Sequence, residues 1–203
     1  MCGIVGAVTE RRVRNILLEG LQRLEYRGYD SAGLATLESG DEILRNRQIG
    51  KVANLIAEVS NSDLNGMIGI GHTRWATHGS VLVENTHPHM SGDNLALVHN
   101  GIIENYESLR AYLTGQGFSF SSETDTEVLV NLIEHIQITQ GLKTGKAVQI
   151  ALNQVVGAYA IAVFDKKRPK EVVVAKLGSP LAIGLGKDEY FIASDASPFI
   201  EYT

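Results

Sequence analysis

Cysteine occurs once in this chain, at position 2, directly after the initiator methionine. Cysteine is small enough for methionine removal, which would leave Cys2 as the mature N-terminus. The α-amine then sits on the same residue as the thiol, and its reference pKa of ~7.7–8.0 leaves part of it neutral near pH 7. A neutral amine beside a thiol can act as its general base, the arrangement that activates N-terminal nucleophiles. Read by itself, Cys2 is more simply a small buried hydrophobe opening a strand.

Three further positions bear on that choice. Asn100–Gly101, within HNGIIEN, sets a side-chain amide beside a glycine N–H, and the two can donate to a tetrahedral oxyanion. Alone, the same dipeptide reads as an Asn-Gly turn. Arg74, within HTRWATHG, closes a strand, and its planar fork suits a carboxylate ligand, with a surface ion pair as the plain alternative. Asp125, within SETDTE, lies at a helix start, where a carboxylate can hold an ammonium group or simply face the helix dipole. Together these residues supply a nucleophile, an oxyanion hole, a carboxylate clamp and an ammonium partner. An α-amino acid with a side-chain amide would use all four.

Other chemistries find less support. The six histidines are His72, His78, His87, His89, His99 and His135. His87-Pro88-His89 permits two ligands, but no HExxH or carboxylate-rich cluster accompanies it, so no metal site is expected. Loop histidines that satisfy backbone groups are the expected reading. Gly69-x-Gly71 and Gly184-x-Gly186 lack the rest of a dinucleotide or phosphate-loop fingerprint, and no cofactor is expected. The formal net charge is −5 with no Lys/Arg block, which argues against nucleic acid or an anionic membrane as partner. No apolar run approaches the ~20 residues of a membrane span, and no basic-then-apolar leader opens the chain. One cysteine excludes an internal disulfide and fits a reducing cytoplasm. Apolar residues at 44% are enough for a core in 203 residues.

The elements that must position these residues follow from periodicity. Cys2–Val8 reads as a strand, and Val13, Ile16, Leu17, Leu21 and Leu24 stripe a helix over about 11–25. Ser31–Leu37 and Glu42–Gln48 form a strand pair turned at Ser39–Gly40–Asp41, and a helix follows on Val52, Leu55, Ile56 and Val59. Met67–Trp75 and Leu95–Ile103 are strands joined by a Gly- and His-bearing loop. Asn105 is an expected N-cap for a helix carrying Leu109 and Leu113. Thr124-x-x-Glu127 is a capping box opening a helix through Ile136, with a further helix over about Lys146–Val156. Strands at Gly157–Asp165, Glu171–Lys176, Leu181–Leu185 and Glu189–Ala193 are separated by turns too short for crossover helices, so they should be antiparallel. The fold class is α+β, with one domain as the economical reading. The chain closes on Glu201–Tyr202–Thr203 without an evident cap, as a piece of something longer would.

Residues Cys2–Gly6 (CGIVG), Arg23–Gly33 (RLEYRGYDSAG), His72–Gly79 (HTRWATHG), His99–Asn105 (HNGIIEN) and Ser122–Glu127 (SETDTE) closely resemble one family. They are similar to the glutaminase domains of the glucosamine-6-phosphate synthases, a branch of the class II glutamine amidotransferases. The likeness continues through the GAYA, GSP and ASD runs at Gly157, Gly178 and Ala193, and so covers nearly the whole chain. CGIVG is shared by the wider superfamily. EYRGYDSAG and TRWATHG are the specific parts, because phosphoribosylpyrophosphate amidotransferases, glutamate synthases and asparagine synthetases differ there.

The resemblance implies an N-terminal-nucleophile hydrolase fold, a four-layer αββα sandwich with two antiparallel sheets, spanning 2–203 as a type-2 glutamine amidotransferase domain. It implies that Cys2 attacks the glutamine amide, with its own α-amine moving protons and with Asn100 and Gly101 as oxyanion hole. Arg74 and Thr77, helped by His78, would hold the α-carboxylate, and Asp125 the α-amine. Trp75 would belong to a loop that closes over glutamine and gates the ammonia path, a plain core aromatic being the alternative. Arg27 and Tyr29 are expected beside the nucleophile or at a domain interface. The sugar-isomerase domains that follow in the family are expected to be absent, and with them the fructose 6-phosphate site and most of a homodimer interface, so that the piece alone could be a monomer. Two other readings stand beside this one: the glutaminase part of a different amidotransferase, and a catalytically silent module that senses glutamine.

Overall fold

The computed structural model describes residues 2–75 and 80–203. Two antiparallel sheets carry the architecture. The first has six strands in the order β3-β2-β4-β1-β10-β9, made by β1 (Gly3–Val8), β2 (Ser31–Glu38), β3 (Glu42–Ile49), β4 (Ile68–Arg74), β9 (Ala182–Leu185) and β10 (Tyr190–Ala193). The second has four in the order β5-β6-β7-β8, made by β5 (His89–Ser91), β6 (Leu95–Ile103), β7 (Gly157–Asp165) and β8 (Val172–Leu177). Among the described residues, five α-helices accompany the sheets: α1 (Arg14–Arg23), α2 (Val52–Val59), α3 (Tyr106–Gly115), α4 (Asp125–Gln140) and α5 (Thr144–Leu152).

Period-2 alternation sorts the core into three slabs, and these define four layers. On β1, Val5 and Ala7 face α1 and α2 with Leu17, Leu21, Leu55 and Phe191, whereas Ile4 faces the other way. On β6, Leu95 and Leu97 face α4 and α5, whereas Ala96 and Val98 point inward. On β7, Ile161 and Val163 face the helices, and Ala160, Ala162 and Phe164 point inward. The inner slab, Ile4, Ala35, Ile68, Ile70, Ala96, Val98, Ala162 and Phe164 among others, is the seam between the sheets. Helices therefore cover both outer faces of a face-to-face sheet pair, the αββα layering that the resemblance implies.

The four strands from residue 157 onward pair antiparallel, as expected: β7 and β8 within the smaller sheet and β9 and β10 within the larger one, so Gly178–Leu181 carries the chain across the seam. Several local expectations are corrected. The loop between β4 and β6 contains a short strand, β5, in register with β6 at His89↔Leu97. The helix expected over Lys146–Val156 is displaced to Thr144–Leu152. Asn105 does not cap α3 with its side chain; its amide instead ties down Val156 N–H and Gln154 C=O. Only half the capping box forms. Thr124 Oγ1 accepts from Glu127 N–H at 3.3 Å, but the Glu127 carboxylate accepts from the Ser121 and Ser122 N–H groups rather than from the cap residue. Among the described residues no helix is long and apolar enough to cross a membrane.

Candidate active site

The seam slab explains how distant residues meet. Even-numbered residues of β1, β4 and β6 point into the seam, and at one end of the sandwich the apolar series gives way to polar side chains. Ile4 is preceded on its face by Cys2, Ile68 and Ile70 are followed by His72 and Arg74, and Ala96 and Val98 are followed by Asn100. The strand registers bring these ends together, since Gly3 lies opposite Thr73 and Ile4 opposite His72. One alternation thus builds both the core and the polar pocket at its mouth.

The Cys2 thiol is held by the backbone of Trp75. Trp75 N–H donates to Sγ at 3.2 Å, and Sγ lies 3.6 Å from Trp75 O. Burial raises the thiol pKa, opposed by the Trp75 N–H and the positive charge of Arg74, with Asp30 pushing the same way as burial. The Cys2 carbonyl accepts from Asn100 Nδ2 at 3.0 Å and from Arg27 Nε at 3.2 Å. Arg27 is in turn anchored by Asp195, 3.2 Å from its Nη1, which also accepts from the Tyr26 hydroxyl at 2.6 Å. Of the two expectations for Arg27, the one beside the nucleophile holds. Tyr29 sits edge-on to Trp75 with ring centroids 5.3 Å apart.

Asn100 and Gly101 lie inside β6, paired with Ala160 and Tyr159, so the turn reading of the dipeptide is excluded. Gly101 has φ +134°, and a Cβ there would fall 2.0 Å from Ala158 O. The backbone twists at the pocket wall in a way only glycine accommodates. Gly28 is needed for a different reason: a Cβ would come within 2.9 Å of Trp75 N and 2.7 Å of the Arg74 carbonyl carbon, the segment that grips the thiol.

Arg74 is buried, so it is not a surface ion pair, and its Nη1 donates to Ser80 O at 3.2 Å. Burial lowers its pKa, offset by the Cys2, Asp30, Asp125 and Glu123 groups around it. Ser80 is itself fixed by Asn85 and Glu123, whose side chains and backbone exchange hydrogen bonds of 2.9–3.1 Å. Asp125 opens α4, accepts from Ile103 N–H at 2.8 Å and lies 3.9 Å from His99 Nδ1. Trp75 is 43% exposed at the rim, which removes the core-aromatic alternative. Thr77 and His78 lie outside the described residues.

Cys2, Arg74, Trp75, Gly101 and Asp125 line one narrow pocket of about 50 Å³. It shares Ile102 and Asp125 with a broader cleft of about 800 Å³ walled by Ser80, Glu104, Tyr106 and Glu123. The arrangement offers a thiol, a cation and an anion along the lining of one pocket.

His72 and His99 are on the strands expected for them, whereas His89, expected in a loop, lies on β5; all three, with His87, are buried. His72 stacks on His87 at 4.0 Å, His87 meets His89 edge-on at 4.8 Å, and threonines of the α4 N-terminus bond His87, His89 and His99. Burial depresses the pKa of all four, that of His72 to about 3, so the cluster is neutral. Among the described residues no group of three or more acidic, histidine or cysteine side chains is placed to hold a metal ion. The signal that could have found them is the same alternation: His72 shares its face with Arg74, two residues on.

Known proteins share this chain's sequence and fold. The glutamine amidotransferase domain family matches residues 72–201. The glutamine–fructose-6-phosphate aminotransferase (isomerizing) of Bacteroides thetaiotaomicron is 52% identical over 204 residues, covering 100% of this chain and 33% of that protein. Its counterpart in Pseudomonas putida is 54% identical over 200 residues, covering 96% of this chain and 32% of that protein. The chain thus spans about a third of the length of the curated relatives it matches. Among solved structures, the glutamine phosphoribosylpyrophosphate amidotransferase of B. subtilis, complexed with ADP and GMP, superposes with a TM-score of 0.83 at 29% identity, over 98% of this chain and 43% of that one. With the match covering well over half of its residues, the chain belongs to the glutamine amidotransferase domain family.

Proposed function

We propose that residues 2–203 hydrolyse the side-chain amide of L-glutamine to glutamate and ammonia through a thioester on Cys2. The observation that carries this is the convergence on one pocket of a thiol gripped by a backbone N–H, a buried arginine and a carboxylate, with the Asn100 amide bonded to the carbonyl of the same cysteine. After methionine removal, the Cys2 amine takes the thiol proton as sulfur bonds to the amide carbon. The second hydrogen of Asn100 Nδ2 and the Gly101 N–H receive the oxyanion. The ammonium returns its proton to the leaving nitrogen, the C–N bond breaks and ammonia departs. Water then attacks the thioester, giving its proton to the amine, and glutamate leaves as the thiol reforms.

Arg74 binds the α-carboxylate bidentately, aided by Thr77 and His78, and Asp125 binds the α-ammonium. Trp75, at the rim and braced by Tyr29, closes over bound glutamine. In the longer protein we place this domain beside a sugar-isomerising part that uses the ammonia to convert fructose 6-phosphate to glucosamine 6-phosphate, in a cytoplasmic homodimer. The test incubates the 203-residue chain with glutamine and fructose 6-phosphate. Glutamate should accumulate without amino-sugar phosphate, and Cys2→Ala should abolish it. Glutamate release by Cys2→Ala overturns the nucleophile assignment, and amino-sugar phosphate made by this chain overturns the division of labour.

A further inference from the structure

His72 contributes no atom to the glutamine pocket, yet it reaches across the seam from β4 to β6. Its Nε2 lies 3.0 Å from Asn100 Oδ1 and 3.1 Å from the His99 carbonyl oxygen. We propose that His72 is a positioning residue for the oxyanion hole, whose Nε2–H locks the Asn100 amide with its NH₂ towards the reacting carbon; this rests on the role given to Asn100 above.

The argument is one of donors and acceptors. The His99 carbonyl can only accept, so the ring nitrogen facing it must carry hydrogen. That same hydrogen faces the Asn100 side chain, which must therefore turn its oxygen, not its nitrogen, to His72. The NH₂ group is left pointing at Cys2, where it donates to the Cys2 carbonyl at 3.0 Å. Flipping the amide would set donor against donor at His72 and acceptor against acceptor at Cys2. The Cys2 carbonyl belongs to the nucleophile itself, whereas His72 is 1% exposed and lies in the larger sheet. It holds the amide from outside the pocket.

Two features fit a ring kept for one hydrogen bond. Burial holds the His72 pKa at about 3, so the ring carries a single ring proton and Nδ1 is left as a bare acceptor. That Nδ1 is buried with no hydrogen-bond partner, while the ring face stacks on His87. A preference for the other tautomer would strand Nε2 as an acceptor between two oxygens.

The experiment has two arms. In the unmodified chain, ¹⁵N-resolved NMR of the His72 ring should show the Nε2–H tautomer between about pH 6 and pH 8; an Nδ1–H ring overturns the proposal, whatever happens to any variant. In the kinetic arm, His72→Leu should lower kcat about ten-fold or more with KM for glutamine within about two-fold, because an oxyanion donor acts on the transition state. His72→Gln, which can present an amide N–H in place of Nε2–H, should restore most of that loss. In an Asn100→Ala background, His72→Leu should change kcat by less than about two-fold, since the group it positions is gone. Losses that multiply in the double variant overturn the positioning role. Unchanged kcat in Asn100→Ala alone instead overturns the oxyanion reading on which the proposal rests.

Discussion

Acid should unfold this protein well above the carboxylate range, because four neutral histidines are buried in one cluster beneath the pocket. The unfolded chain binds a proton on each near pH 6.5, whereas the folded chain resists doing so. Between the two pKa values the unfolded state binds more protons, so stability is fully present above about pH 6.5 and is lost as pH falls towards the folded value. For His72, moving from 6.5 to about 3, the loss between about pH 7 and pH 5 is about 2 kcal/mol. His87 and His89 shift in the same direction, next to Arg74, Arg47 and Arg45, whose charges add to burial. His99 shifts less freely because Asp125 favours its protonated form. His72 alone thus removes about 2 kcal/mol by about pH 5, against the 5–15 kcal/mol typical of a domain, and the other three act in the same direction. Urea unfolding across that range measures it directly. His72→Gln should flatten the dependence by about 2 kcal/mol. Equal unfolding free energies at pH 7 and pH 5 would refute the reasoning, since they would mean that the histidines are hydrated or already paired with acids.

Arg74→Ala should weaken glutamine binding by about 2–5 kcal/mol by leaving a carboxylate unpaired, and Arg74→Lys should rescue little because the fork is lost; an unchanged KM returns Arg74 to a structural role. Asp125→Ala should also raise KM, and it frees the Ile103 N–H that the carboxylate now accepts from, so thermal stability is to be recorded alongside. Gly101→Ala should cost about 1–3 kcal/mol in strain at φ +134° before the clash with Ala158 O is counted, seen as a lower urea midpoint; an unmoved midpoint contradicts the twisted backbone.

Most individual strands and helices were legible from periodicity, but the layering was implied only by the resemblance. The structure adds the reason: inward residues of β1, β4 and β6 are apolar along the seam and polar at its end, so one alternation also gathers Cys2, Arg74 and Asn100. Where sequence fell short, the missing information was non-local. Nothing in Gly178–Leu181 says that the next strand joins the other sheet, because turn residues permit a hairpin as readily as a crossing. His87 and His89 looked like loop residues since imidazole is polar, and the Thr126 and Thr124 hydroxyls that bond them in the interior come from a helix start distant in sequence. Trp75 acts on the thiol through its backbone N–H, which no side-chain motif announces. Asn105 has the right residue type for a cap, but its amide is drawn to the Gln154–Val156 backbone instead.

The central claim is that the amine of Cys2, free at the mature N-terminus, is the base that activates its own thiol. The most direct measurement compares glutaminase turnover of the chain beginning at Cys2 with that of a variant carrying one uncleavable residue before it, each verified by intact mass. The extended chain should fold with an unchanged urea midpoint and keep the Cys2 thiol, yet lose glutamine turnover because its amine has become an amide nitrogen. Undiminished turnover by the extended chain would contradict the account.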